Sequence, residues 1–242
     1  MKKHIPNFIT LLNLLSGTIA VMLAVQNQLE LAALFVFLGI VFDFFDGFAA
    51  RMLKVSSELG VQLDSLADMV TCGVVPGIVM FQLLNDSTGT GWATIMATDM
   101  PASWLPYVGL LIPMASAYRL AKFNIDERQT DSFIGLPTPA NALLILSLPL
   151  IVAYQNNDLM NTVIYNPWFL VVLSVVSSYM LNAEIPLFSL KIKTLAFQPN
   201  AHRYSFLLLS VVLLILLWFA AIPLIIVMYV LMSLFMQKRN FA

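Results

Sequence analysis

The chain has 242 residues, of which 60% are hydrophobic and 10% are charged. Soluble domains carry about 25% charged residues, so this composition excludes an ordinary soluble protein and indicates an all-α integral membrane protein. The net charge of −1 gives no reason to expect a nucleic-acid partner, and the single cysteine excludes a disulfide framework within the chain.

Eight apolar segments approach or reach the roughly 20 residues that a helix needs to cross a bilayer. No soluble insert separates them, so we expect a single-domain polytopic membrane helix bundle over residues 1–242. The predicted spans are residues 9–25, 30–52, 60–84, 104–123, 138–155, 167–182, 204–220 and 222–237.

The basic residues predict the orientation of these spans. The connections 26–29, 85–103 and 156–166 contain no Lys or Arg, so an eight-span arrangement places every basic residue on the other side. By the positive-inside rule both termini are expected in the cytoplasm. The twelve basic residues are Lys2, Lys3, Arg51, Lys54, Arg119, Lys122, Arg128, Lys191, Lys193, Arg203, Lys238 and Arg239.

Four carboxylates lie around the connection between the second and third spans. Asp43 and Asp46 are three residues apart, and Asp64 and Asp68 are four apart, so each pair shares one helix face. Unpaired charges in such apolar segments cost roughly 2.5–3.5 kcal/mol each, and hard cations prefer oxygen ligands. The four residues therefore predict a site near the cytoplasmic face for divalent ions, two in number, with Mg²⁺ or Mn²⁺ expected and Ca²⁺ compatible.

The same stretch reads D-x2-D-G-x2-A-R-x8-G-x3-D-x3-D, which resembles the signature of the CDP-alcohol phosphotransferases, a family of membrane enzymes. The resemblance implies a homodimer, metal ligation by the four acids and a role for Asp68 as both ligand and general base. All eight fixed positions are filled, by Asp43, Asp46, Gly47, Ala50, Arg51, Gly60, Asp64 and Asp68.

The resemblance also implies a nucleotide site along the second helix. Gly47 and Ala50 leave room for a nucleotide, although such small residues also suit tight helix packing. Arg51 is placed to contact the nucleotide phosphates. The first span opens IPNFITLLN, similar to a Pro-Asn-x-x-Thr-x-x-Asn element of the family. The expected nucleotide-binding residues are Asn7, Thr10, Gly47, Ala50, Arg51 and Ser57.

Two further stretches, SAYRLAKFN and DSFIGLPTPAN, concern the acceptor and lie within residues 116–141. They resemble the phosphatidylserine synthase branch of the family, which implies CDP-diacylglycerol as donor, L-serine as acceptor and CMP as leaving group. A serine carboxylate needs a positive partner, which Arg119 or Lys122 can supply. Arg119 is equally suited to the lipid-side phosphate of CDP-diacylglycerol.

Other functions stay open at this point. Another acceptor, such as glycerol-3-phosphate, inositol phosphate or choline, would keep the same metal site. A cation transporter or channel would use the acids to bind ions, although the acid motif occurs once, which argues against an inverted-repeat transporter. Residues 142–242 show only general membrane character.

Overall fold

The computed structural model describes residues 4–89, 104–126, 133–155, 157–188 and 197–240. This part of the chain is helical apart from one pair of two-residue strands, which confirms the all-α prediction. The helices are α1 (His4–Val25), α2 (Leu29–Leu53), α3 (Glu58–Asp68), α4 (Val75–Ser87), α5 (Leu111–Ile125), α6 (Thr138–Gln155), α7 (Asp158–Ile164), α8 (Pro167–Asn182), α9 (Phe197–Leu217) and α10 (Ala221–Asn240).

Helices α1 and α2 form a close hairpin. Its turn passes through Asn27, which adopts the left-handed conformation with φ 60. Small side chains fill the buried contact, because alanines let two helix backbones approach closely. The buried residues that α1 and α2 contribute to the core include Ala20, Ala24, Ala32, Ala33 and Val36.

Helices α3 and α4 belong to one continuous element, Glu58–Ser87. Ser57 caps its start by accepting a hydrogen bond from the backbone N–H of Gly60 at 3.0 Å. Between the two helices the residues Met69–Val74 form a π-helical segment. The α4 half is the centre of the bundle, with Val75, Val79 and Leu84 fully buried.

The second half of the chain surrounds this central element. Helix α5 follows a 3₁₀ turn, Leu105–Leu110, and α7 meets α8 at an angle of 64°. Strand β1 (Phe133–Ile134) pairs antiparallel with β2 (Pro186–Leu187), which ties the segment before α6 to the segment after α8.

In the described part of the chain, five helical stretches are long and apolar enough to cross a membrane, or six if α7 and α8 form one bent span. One of these stretches, Asn200–Met236, breaks at Trp218, where φ is 49. The rings of Phe206 and Tyr229 lie 5.7 Å apart, so α9 and α10 turn back on each other. A polytopic helical bundle is thus established, while the eight-span count and the side of the termini stay predictions.

Several predicted features lie outside the described residues. They are the greater part of the predicted external connection, 90–103, and the basic residues Lys2, Lys3, Arg128, Lys191 and Lys193.

Candidate active site

Three carboxylates converge where the end of α2 meets α3. One oxygen from each of Asp43, Asp46 and Asp64 lies within 4.8 Å of the other two. The Oδ1 atom of Asp64 is buried and has no hydrogen-bond partner among the described residues. An all-oxygen donor set with an unsatisfied buried atom fits a hard divalent cation.

The fourth carboxylate, Asp68, lies next to this cluster but outside the three that converge. It is one turn further along α3 than Asp64 and interacts electrostatically with both Asp64 and Asp46. The Nδ2 group of Asn13, on α1, donates a hydrogen bond of 3.2 Å to its Oδ1. Asp68 is therefore held by a protein donor while remaining beside the metal-ligand candidates.

Thr10 joins the first helix to the acidic cluster. Its hydroxyl lies 2.6 Å from Oδ2 of Asp46 and 3.1 Å from the carbonyl oxygen of Pro6. Because the hydroxyl has one proton and the carboxylate contact is shorter, we assign the donated bond to Asp46. The sequence placed Thr10 only in the nucleotide site, so its contact with a candidate metal ligand was missed.

A cavity of about 510 Å³ opens beside the acidic cluster. Its size is within the range of small-molecule sites. Asp46 and Asp64 form part of its wall, and Lys54 adds a positive charge to its rim. The wall also includes all six residues predicted to bind the nucleotide, which are Asn7, Thr10, Gly47, Ala50, Arg51 and Ser57.

Local structure explains why this space stays open. A Cβ atom at Gly47 would meet nothing closer than the Arg51 Nη1 atom at 3.6 Å, so the glycine leaves a free surface on α2. A Cβ at Gly60 would lie 3.0 Å from Oγ of Ser57 and 3.3 Å from Oδ1 of Asn7. Gly60 therefore allows α3 to start close to α1 at the edge of the cavity.

Arg119 lies inside the bundle on α5, with 7% of its surface exposed. Its Nε and Nη2 atoms have no hydrogen-bond partner among the described residues, and its charge interacts with Asp68. Ser116, three residues earlier, is fully buried, and its Oγ is likewise unpartnered within the described chain. Buried donors without acceptors are costly, so the pair suits a ligand that brings acceptor atoms. Ser116 was not among the site residues predicted from the sequence, although its i, i+3 spacing from Arg119 was a usable signal.

Lys122 has a different environment from Arg119. Its Nζ lies 3.4 Å from Oε1 of Glu184, and the side chains are 30% and 69% exposed. Two residues after Lys122 on α5, Asn124 exchanges hydrogen bonds with Ser65 at 3.0 and 3.2 Å, which ties α5 to α3. Of the two basic residues proposed for the acceptor region, Arg119 is therefore buried and Lys122 is partly exposed.

The sequence profile of the CDP-alcohol phosphatidyltransferase family matches residues 3–180. Three similar proteins are each named CDP-diacylglycerol–serine O-phosphatidyltransferase. The Bacillus subtilis protein is 34% identical over 149 residues, which is 60% of this chain and 75% of the relative. The Methanocaldococcus jannaschii protein is 32% identical over 157 residues, 64% of this chain and 66% of the relative. The Mycobacterium leprae protein is 29% identical over 151 residues, 60% of this chain and 46% of the relative.

These matches cover from about half to three quarters of the relatives' lengths. The region that the family profile matches contains the acidic cluster, every predicted nucleotide-binding residue and Arg119. The chain belongs to the CDP-alcohol phosphatidyltransferase family.

Proposed function

We propose that the protein transfers the phosphatidyl group of CDP-diacylglycerol to the hydroxyl of L-serine, releasing phosphatidylserine and CMP. The observation that carries the proposal is the convergence of Asp43, Asp46 and Asp64 at the wall of a nucleotide-sized cavity. The serine acceptor is supported by the names of the relatives and by the segment 116–141.

The acidic cluster fits divalent metal, and we assign Asp43, Asp46 and Asp64 as ligands, with Asp68 completing the set for a second ion. When bound, Mg²⁺ or Mn²⁺ would neutralise charge on the pyrophosphate and on the departing phosphate. Thr10 holds the Asp46 carboxylate towards its neighbours through the 2.6 Å hydrogen bond. In the apo protein the clustered negative charges repel one another, which favours cation binding.

The cavity wall binds the cytidine nucleotide. Gly47 and Ala50 leave room for it against α2, while Arg51 is exposed near the rim and neutralises its phosphate charge. Asn7 and Ser57 offer polar groups on the facing wall. The phosphorus bonded to the diacylglycerol oxygen is then placed beside the carboxylates.

Asp68 accepts the proton of the serine hydroxyl as general base, which typically contributes 10²–10⁴-fold in rate. The serine oxygen forms a bond to the phosphorus that carries diacylglycerol, and the bond from that phosphorus to the CMP oxygen breaks. Arg119 and Ser116 present donors without hydrogen-bond partners among the described residues, and the charge of Arg119 interacts with Asp68. We assign them to the serine carboxylate. If Arg119 instead binds the lipid-side phosphate, its loss raises the KM for CDP-diacylglycerol and not the KM for L-serine.

The membrane arrangement is part of the same proposal. Eight spans with both termini in the cytoplasm place the acidic cluster near the cytoplasmic face of a bacterial inner membrane, where CDP-diacylglycerol enters from the lipid. The support is the one-sided distribution of Lys and Arg. A homodimer is supported by family membership.

The test is CMP release by purified protein given CDP-diacylglycerol and Mn²⁺ or Mg²⁺, with and without L-serine, alongside Asp68→Asn and a chelator control. We expect serine-dependent release that the chelator abolishes and that Asp68→Asn lowers at least about 10²-fold. Release with glycerol-3-phosphate, inositol phosphate or choline but not serine would overturn the acceptor. Cation flux into liposomes without CMP release from any alcohol would overturn the enzyme assignment.

A further inference from the structure

A chain of two hydrogen bonds connects α1 to both sides of the α3–π junction. Thr71 Oγ1, in the π-helical segment, lies 2.8 Å from Oδ1 of Asn13. The other end of the same amide, Nδ2, lies 3.2 Å from Oδ1 of Asp68. Asn13 is not among the residues that line the cavity beside the acidic cluster.

The two hydrogen bonds determine which end of the Asn13 amide faces Asp68. The Thr71 hydroxyl also lies 3.3 Å from the backbone oxygen of Asn13, so both acceptors near it belong to that one residue. A hydroxyl that donates to the amide oxygen requires the amide nitrogen to point the other way, towards the carboxylate. Among the described residues, Asn13 Nδ2 is the one hydrogen-bond donor to Asp68, and it engages Oδ1, which leaves Oδ2 for another partner.

The residues that form these two hydrogen bonds are closely packed. Asn13 and Thr71 are both fully buried. A Cβ atom at Gly39 would lie 2.6 Å from Cγ2 of Thr71 and 2.8 Å from Oδ1 of Asn13, and one at Gly17 would lie 3.1 Å from the Thr71 Cα. A side chain at either glycine would crowd Thr71 or Asn13, so the two glycines allow α1 and α2 to pack directly against Thr71.

We propose that Asn13 and Thr71 are positioning residues that hold the Asp68 carboxylate so that Oδ2 faces the acceptor hydroxyl. The proposal rests on the proposed function, in which Asp68 is the general base. Neither residue lines the cavity beside the acidic cluster. Their effect is on the orientation of a reacting group, where an error of about 1 Å can cost 10²-fold in rate.

The direct test replaces Thr71 by valine, which keeps the branched shape and removes the hydroxyl. We expect kcat to fall about 10–10²-fold, with the KM for CDP-diacylglycerol within about twofold of the unmodified protein, and Thr71→Ser to restore most of kcat. Thr18→Val is the matched control, because the exposed Thr18 donates only to the Leu14 carbonyl of its own helix, at 2.8 Å. The control should keep full activity.

A double variant separates this proposal from the proposed function. If Thr71 acts through Asp68, Thr71→Val lowers the residual activity of Asp68→Asn no further, because effects within one unit are not additive. The positioning role would be overturned if Thr71→Val lowered kcat equally in the unmodified and the Asp68→Asn proteins. It would also be overturned if Thr71→Val kept full kcat, or if Thr71→Ser failed to restore kcat. Near-normal activity of Asp68→Asn would instead overturn the base assignment, and the positioning role with it. Should Thr71→Val not fold, as judged by thermal unfolding in detergent, Asn13→Ala is measured against the same criteria.

Discussion

The hydrogen bond from Thr10 to Asp46 gives the most quantitative prediction for the metal site. At 2.6 Å it is a short bond to a carboxylate, formed inside the bundle. Thr10→Val removes it with little change of shape. A hydrogen bond to a charged group contributes about 1.5–3 kcal/mol, which corresponds to roughly 10–150-fold in an equilibrium constant. Losing a hydrogen-bond partner of a metal ligand typically costs 10–100-fold in metal affinity.

We therefore expect the affinity of Thr10→Val for Mn²⁺ to fall about 10–100-fold. The measurement is Mn²⁺ titration of purified, nucleotide-free protein, followed by electron paramagnetic resonance of the free ion. Thr10→Ser should retain most of the affinity because it keeps the hydroxyl, and Thr18→Val should retain all of it. Unchanged Mn²⁺ affinity in a folded Thr10→Val protein would refute the argument that this bond orients Asp46 as a ligand.

Three other changes have expected outcomes. Asp43→Asn should lower both Mn²⁺ binding and CMP release at least about 10²-fold, because loss of a metal ligand costs more than loss of a ligand's hydrogen-bond partner. Unchanged Mn²⁺ binding would remove Asp43 from the ligand set. Arg119→Gln should raise the KM for L-serine about 10–150-fold, and a rise confined to the KM for CDP-diacylglycerol would assign Arg119 to the lipid phosphate. Lys122→Gln should change the free energy of unfolding by less than about 1 kcal/mol, because its partner Glu184 is 69% exposed; a larger loss in thermal denaturation would contradict a surface ion pair.

The acidic cluster was predictable because its three residues, Asp43, Asp46 and Asp64, are close together in sequence. Spacings of three and four residues place carboxylates on one helix face regardless of the surrounding fold. The short connection between α2 and α3 then brings the two faces together. All six residues predicted to bind the nucleotide, from Asn7 to Ser57, line the same cavity, while the binding role of each residue stays a prediction.

The contacts that hold the site depend on long-range packing and were not predictable. Asn13 and Thr71 are 58 residues apart, and no periodicity pairs them. Arg119 and Lys122 look equivalent in sequence, yet their burial differs because only Arg119 faces the interior beside Asp68.

The π-helical segment Met69–Val74 sets the angular phase between the two halves of the central helix. An α-helix rotates about 100° per residue, and a π-helical turn holds one residue more than an α-helical turn. The carboxylates before the segment and the core residues after it are therefore about 100° away from the relation that an uninterrupted α-helix would give them. Val75 and Val79 can face the core while Asp64 faces Asp43 because of this offset. Deleting one residue from the segment would let the helix rewind and would rotate the carboxylates by about 100° relative to the apolar half.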